Sequence, residues 1–557
     1  MNLREFRLAQ LTTWLGPLTT LIVTPWISFD PISLPKLVVV SSLGFASFSL
    51  LLLNHRTLFK TLEKNVQVLF VLFILFSAST FFLSGANLQQ QFWGVFGRNT
   101  GVLAYVSLVF TLVSAAAIRN HRAYKRVLFS LLFTAGIMTV YCLVQIFGKD
   151  PIQWSYFDTF GTLGNINFLS AFFGLSSIVA LNFVLDHSIK LKYRVLLALK
   201  VGLDISIVIS TNSIQGLMIF IFGIIVSIFL YIFQKRFKFW KITLGLLLIV
   251  VSTFTYLTLL GLGNSGPLSK FLFQPSVVFR GDYWHAGFEL TRRFPIFGAG
   301  FDSYGDYYRQ VRGEISTLRT GPDRISNTAH NIFLDISSSG GIPLIVVYLL
   351  IMTLIIKKSI TIFRSSNKFD PVHSALFSAW SAYQIQSLVS INQLGIGIWG
   401  FIFSGCLLGY PIREGVYSSR EKNLVTKKFS GQLLNAKDSL LLVGAFVLGL
   451  TLALIPFSAD VKFRSARNTG SGQELLRASS TYGSTLFHKE VTLDLIAQSG
   501  DSEKPIALEF AEDIVKEFPR SYYAWTVLYG LPNTDEGTRA KAIAKLRELD
   551  PYNPNNK

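Results

Sequence analysis

The sequence predicts an all-α integral membrane protein with about 12–14 transmembrane helices. Half of its 557 residues are hydrophobic and only 15% are charged, whereas soluble proteins average about 25% charged residues. A surface covered by water needs more charge than this chain supplies, so we expect most of it to lie in lipid. The composition excludes a disordered chain, a coiled coil, a collagen and a purely soluble enzyme.

Apolar segments long enough to cross a bilayer recur along the chain. A helix needs about 20 apolar residues to span about 30 Å of hydrocarbon. The first segment follows Arg4 and Arg7 as in a signal peptide, but no small-x-small cleavage site follows it, so we expect it to stay as a span. About thirteen segments qualify, near residues 9–28, 36–53, 66–84, 101–117, 127–147, 168–185, 195–211, 216–233, 242–262, 341–356, 373–391, 396–411 and 438–456.

Basic residues alternate from one connecting segment to the next, which predicts the orientation. Clusters of Lys and Arg follow every second span, including those at 55–64, 119–126 and 413–437. By the positive-inside rule these clusters face the cytoplasm, and so does the N-terminus. The predicted location is the cytoplasmic (inner) membrane, with the C-terminal region outside. This topology accounts for the net charge of +19 better than nucleic-acid binding does.

The chain divides into a membrane domain, 1–456, and a soluble helical tail, 457–557, that we expect to be external. Pro519 and Pro551 are 32 residues apart, close to the roughly 34-residue period of tetratricopeptide (TPR) units. Because about three such units are needed to bury a core, this TPR-like tail is expected to pack on the membrane domain or to bind a partner. A helical appendage without a binding role stays open.

The external loop 263–340 carries eight Lys or Arg residues, against the positive-inside pattern. One explanation is that long translocated segments escape the rule. The other is a cationic site for an anion at the membrane surface, since arginine suits phosphate oxygens. By contrast, the external loops of the membrane domain have no Asp-x-Asp pair, His-x-x-x-His pair or cysteine cluster, so no metal site is expected.

Several short motifs follow one another in and before this loop. The loop contains Arg280 and Trp284, a Pro-x-x-Gly-x-Gly segment at 295–300, a His-Asn-x-x-Leu segment at 330–334 and a Gly-Gly pair. Earlier segments at 94–101 and 161–168 add to the pattern. Over residues 1–456 the series resembles the O-antigen ligase superfamily, which includes O-antigen polymerases and protein O-oligosaccharyltransferases.

The resemblance implies a GT-C-like, inverting, metal-independent glycosyltransferase without a cofactor. Its members transfer a glycan from a polyprenyl diphosphate to an acceptor hydroxyl outside the cytoplasmic membrane. On the matching positions, Arg280 would bind the donor and His330 would be the general base, since an imidazole has an ordinary pKa of about 6.5. Arg98, Trp284 and Asn331 are further candidates for substrate binding.

One position departs from the family pattern. Members often carry a second arginine in a Ser-Arg-Gly turn, but the comparable turn here, 211–216, contains Gln215 instead. Gln215 can hydrogen-bond a phosphate but cannot neutralise it. Arg98, Arg292 or Arg293 would then supply the missing charge, or the chain belongs to a divergent branch.

The expected partners are a lipid-linked glycan donor, a glycan, lipid or protein acceptor, and the bilayer, with no nucleic acid. Transfer to a finished acceptor, polymerisation of lipid-linked repeat units and protein O-glycosylation remain open, because the acceptor leaves no signature. A transporter or lipid flippase is a rival of another class, although the ionisable residues gather in a loop rather than at the midplane. A scaffold that only displays the tail would leave the arginine-rich loop unexplained.

Overall fold

The computed structural model describes residues 3–53, 62–152, 154, 159–236, 238–365, 368–411 and 436–556. Within these ranges the chain is helical and contains no strand, which confirms the predicted fold class. The basic clusters at 55–64 and 413–437 lie largely outside the described residues.

All thirteen predicted spans fall on helices. In chain order they are α1 (Leu3–Leu21), α2 (Ser33–Leu52), α3 (Lys64–Leu83), α5 (Val102–Ala116), α6 (His121–Ile146), α7 (Ile166–Val184), α8 (Leu191–Ser210), α9 (Ile214–Lys235), α10 (Trp240–Leu262), α15 (Ile332–Ser365), α16 (Pro371–Ser387), α17 (Leu394–Gly409) and α18 (Ala436–Thr469). Within the described ranges, eight of these helices are long and apolar enough to cross a membrane: α2, α3, α6, α7, α9, α10, α15 and α18. The other five are shorter or less apolar.

Small residues let the membrane helices pack closely, as lipid-embedded bundles require. Gly16 on α1 faces the indole of the fully buried Trp399 on α17, and Trp399 donates a hydrogen bond to Thr20 at 2.9 Å. On α8, Lys200 and Asp204 form an ion pair at 2.5 Å, as expected for charges one turn apart in an apolar helix.

Loop 263–340 folds into short helices: α11 (Ser269–Leu272), α12 (Pro275–Arg293), α13 (Tyr304–Val311) and α14 (Glu314–Thr320). Helix α12 begins at Pro275, which occupies the first turn, a position that proline favours. A small core of Ala286, Leu290, Tyr304 and Ala329 joins α12 and α13 to the segment before α15. The loop thus has a defined structure.

Another short helix, α4 (Leu88–Trp93), lies between α3 and α5. The tail contains α19 (Gly472–Ser479), α20 (Leu486–Ala497), α21 (Lys504–Glu517), α22 (Tyr522–Gly530) and α23 (Glu536–Leu549), with 3₁₀ turns at Asp501–Glu503 and Pro554–Asn556. Leu493, Phe510, Trp525 and Leu546 are among the buried residues that form its core. Helix α18 continues to Thr469, so it crosses the boundary predicted at 456.

Candidate functional site

The Pro-x-x-Gly-x-Gly segment, 295–300, and the Gly-Gly pair, 340–341, lie in two stretches of chain that contact each other through their backbones. Ala299 N donates to Ser338 O at 2.7 Å, and Ile342 N donates to Pro295 O at 2.7 Å. A Cβ atom on Gly298 would lie 2.1 Å from Ser339 O, and one on Gly341 would lie 2.3 Å from Ile296 O. Both glycines also have positive φ, +66° and +76°, which other residues rarely adopt. This contact fixes the end of α12 against the break in α15 at Gly341.

His330 lies immediately before α15 in a backbone conformation that is rare for histidine. Its φ is +51°, in the left-handed region, where non-glycine residues are held only by their surroundings. Asp335 holds this segment by accepting hydrogen bonds from Thr328 Oγ1 at 2.5 Å and Ala329 N at 2.8 Å. Asn331 caps the N-terminus of α15, because its side-chain oxygen accepts hydrogen bonds from the backbone N–H groups of Phe333 and Leu334 at 3.0 and 3.2 Å.

The imidazole of His330 stacks on Tyr283, with ring centroids 5.3 Å apart and an interplanar angle of 28°. Its ring nitrogens have no hydrogen-bond partner among the described residues. Burial, together with the charges of Arg280 and Arg98, lowers the pKa of His330 to about 4. The ring is therefore neutral at ordinary pH and free to accept a proton.

Arg280 lies one turn before Tyr283 on α12, so the two side chains share a helix face. Within the described chain it has no ion-pair or hydrogen-bond partner, although it is only partly exposed. Burial lowers the pKa of its guanidinium, and Tyr283 opposes that shift. A partly buried cation without a carboxylate is costly unless an anion binds to it. Trp284, on the adjacent position, is 37% exposed.

Arg324 is a second cation at this face, and it was not among the site residues that the sequence predicted. Its guanidinium lies 4.3 Å from the ring centroid of Phe279, and its charge acts on Tyr283. No described carboxylate pairs with it. The neighbouring Arg319, in contrast, pairs with Asp282. The only sequence signal for Arg324 was its membership of the arginine-rich loop.

Arg98 is close enough to His330 to lower its pKa, but its guanidinium is already engaged. It donates to Asp302 Oδ1 at 3.0 Å and to the carbonyl oxygen of Asn327. Asp302 also accepts from the backbone N–H of Thr100 at 3.0 Å. The Arg98 side chain is 11% exposed and that of Asp302 is 3% exposed. This geometry favours a positioning role over contact with a phosphate.

The remaining predicted residues, Arg292, Arg293 and Gln215, form no hydrogen bond with this cluster within the described chain. Arg292 and Arg293 both pair with Glu289, at 2.9 Å, near the end of α12. Gln215 lies in the first turn of α9 and is buried. Neither polar atom of its amide has a hydrogen-bond partner within the described chain. Close by, Ser213 donates to Asn167 at 2.9 Å, so the structure joins the 161–168 segment to the turn that contains Gln215.

Comparison with known proteins agrees with the motif order. Residues 199–349 match a family model described as O-antigen ligase, and this confirms the predicted resemblance. The matched range runs from α8 into α15 and includes Gln215, Arg280, Arg324 and His330. No curated protein matches the chain.

Proposed function

We propose that this multi-pass membrane protein of the O-antigen ligase superfamily transfers a glycan from a polyprenyl diphosphate to an acceptor hydroxyl. The reaction takes place at the outer face of the cytoplasmic membrane, with the N-terminus inside and the tail outside, by inversion and without a metal. One observation carries the proposal. Arg280 is a partly buried cation without a described carboxylate partner, and it shares a helix face with Tyr283, on which His330 stacks.

The donor diphosphate would bind between Arg280 and Arg324. The charges of both guanidinium groups act on Tyr283, and neither group has a carboxylate partner within the described chain. Negative charge grows on the diphosphate as the bond to the anomeric carbon breaks, and fixed cations stabilise that charge. Arginine also matches phosphate oxygens with two parallel donors. Arg324 thus supplies the second charge that Gln215 cannot.

His330 would take the proton of the acceptor. The hydroxyl oxygen attacks the anomeric carbon, the diphosphate leaves with the electron pair, and the hydroxyl proton passes to a ring nitrogen of His330. A single displacement of this kind inverts the anomeric centre. Because Arg280 lowers the pKa of His330, a bound diphosphate would offset that charge and raise the pKa. The base then becomes stronger when the donor is present.

The other predicted residues take supporting roles in this proposal. Asn331 caps α15 and so fixes the position of His330. Trp284 is exposed on the same helix as Arg280, where an indole suits the polar edge of a bilayer and the lipid part of the donor. Gln215 offers a free amide to the donor headgroup, whereas Arg292 and Arg293 would first have to release Glu289.

The test compares lipid-linked glycans in the native host carrying wild type or His330→Ala at equal protein levels. Mass spectrometry measures the amount and length of the glycans linked to polyprenyl diphosphate, called the lipid-linked pool below. Full-length glycan on the carrier would indicate a lost ligase or protein transferase, and single repeat units would indicate a lost polymerase. His285→Ala is the matched control, since His285 is exposed on α12. An unchanged pool with normal surface glycan in His330→Ala would refute the proposal and favour a transporter.

A further inference from the structure

A cavity of about 320 Å³ lies where the tail meets the membrane domain. One wall is formed by α4 and the loop after it, a second by residues of the external loop, and the third by the tail. Its volume is at the small end of the roughly 300–1,000 Å³ typical of small-molecule sites. The space suits a single compact group such as one sugar ring.

Polar contacts between the tail and the other walls hold the cavity in shape. The fully buried Arg312 donates to Asp550 at 2.6 Å, and Arg520 donates to the carbonyl oxygen of Asp306 at 3.0 Å. Gln89 donates to Ser484 O at 2.6 Å. Because the walls are fixed before a ligand arrives, little ordering is needed on binding.

Two carboxylates from different walls, Asp306 of the loop and Glu490 of the tail, line the cavity. One oxygen of each is held, by Gln90 at 2.8 Å and by Ser521 at 2.7 Å. The second oxygen of each has no hydrogen-bond partner within the described chain. Burial raises the pKa of Asp306 to about 7 and also raises that of Glu490.

Aromatic rings also line the cavity. Phe487 stacks on Phe96 with ring centroids 4.4 Å apart and is still 41% exposed. Two carboxylates and no Lys or Arg are among the described residues that line the cavity, so this lining does not suit the diphosphate that the Arg280 cluster would attract. Free carboxylate oxygens accept bonds from hydroxyl groups, and an open aromatic face covers the apolar side of a sugar ring.

The cavity also adjoins the segment that carries His330. Asn327 lines it, accepts a hydrogen bond from Arg98 with its carbonyl oxygen, and precedes His330 by three residues. Gln90 links the same regions, because it donates to Asp302 O at 3.1 Å as well as to Asp306. We infer that this cavity binds the acceptor, a saccharide that is not linked to the polyprenyl carrier and whose hydroxyl groups donate to Asp306 and Glu490. Only the acceptor role rests on the proposed function; saccharide binding is tested separately.

The test places the photo-reactive residue benzoylphenylalanine at Phe487 of the full-length protein in its native host, and illumination captures the occupant. The expected adducts carry sugar and no polyprenyl diphosphate. Asp306→Asn and Glu490→Gln should each lower the yield by about ten-fold, the typical effect of losing a hydrogen bond to a charged group. Asp513→Asn, on the exposed face of α21, is the matched control and should leave the yield unchanged.

Three results would overturn the inference: no adduct, adducts without sugar, or a yield that neither cavity variant changes. Adducts that carry a polyprenyl diphosphate would overturn the acceptor role. The two variants lie on different walls and keep the side-chain shape, and the amount of folded protein is measured for each. If sugar adducts form while His330→Ala leaves the lipid-linked pool unchanged, the transferase proposal fails and the saccharide site stands.

Discussion

Arg98 and Asp302 form a nearly buried ion pair at 3.0 Å that joins two regions far apart in the sequence. Arg98 belongs to the loop before α5 and Asp302 to the connection between α12 and α13, and Arg98 also binds the carbonyl oxygen of Asn327, near His330. The charge of Arg98 is therefore balanced before any substrate arrives. Arg280 and Arg324, in contrast, have no carboxylate partner within the described chain and are available to a diphosphate.

Removing Asp302 should destabilise the protein. Asp302→Ala leaves Arg98 buried without its counter-charge, and breaking a buried pair typically costs about 3–5 kcal/mol. Reversible unfolding in mixed micelles measures the change in the free energy of unfolding. Glu548→Ala breaks the solvent-exposed pair with Lys545 and should cost less than about 1 kcal/mol. Equal losses in the two variants would contradict the argument.

Arg280→Ala should lower turnover about 10²–10³-fold, as expected when a group that stabilises developing negative charge is lost. Arg324→Ala should act in the same direction. Arg280→Lys keeps the charge but not the paired donors, so it should fall between wild type and Arg280→Ala. Turnover is measured with saturating donor in reconstituted vesicles. Wild-type turnover in Arg324→Ala would remove Arg324 from the site.

The acid limb of the pH profile of kcat/KM should lie near pH 4, because burial and two arginines lower the pKa of His330 to about 4. A lowered pKa means that the imidazole stays neutral, and active as a base, down to that pH. Arg280→Gln removes a positive charge, so the pKa of His330 should rise toward its ordinary value and the limb should move to higher pH. A wild-type limb near pH 6.5 would show that these charges do not act on the base.

Gly298→Ala should yield little folded protein. The new Cβ would lie 2.1 Å from Ser339 O at a φ of +66°, and the backbone strain alone costs about 1–3 kcal/mol. Size-exclusion chromatography of the purified variant measures the folded fraction. Gly444→Ala, where nothing lies within 4 Å of the new Cβ, should match wild type. Similar losses in both variants would mean that any added methyl group is harmful.

The sequence was enough to name His330 and Arg280 as candidates, because their motifs are short and follow one another in order. The helices could be predicted because apolar runs of spanning length are local features. The contact between the glycine motifs could not be predicted. Their order was visible, but the bond from Ile342 N to Pro295 O, which explains why both segments need glycine, requires the folded chain.

Contacts between distant residues left no pattern in the sequence. Arg312 and Asp550 are 238 residues apart, and neither lies in a recognised motif. Arg324 was one of many arginines in its loop, and only the fold separates it from Arg319, which Asp282 neutralises. The tail cavity combines residues from three separate regions, so no local signal could predict it.

The Arg312–Asp550 pair also has a consequence for how the protein is made. Arg312 lies in loop 263–340 with His330, and its charge is fully buried against a carboxylate at the end of α23. Synthesis reaches Asp550 only 238 residues after Arg312, so the nascent chain lacks this counter-charge throughout that interval. The buried pair therefore forms only after α23 has emerged from the ribosome and docked, and a nascent chain arrested before that point would hold an unfinished site.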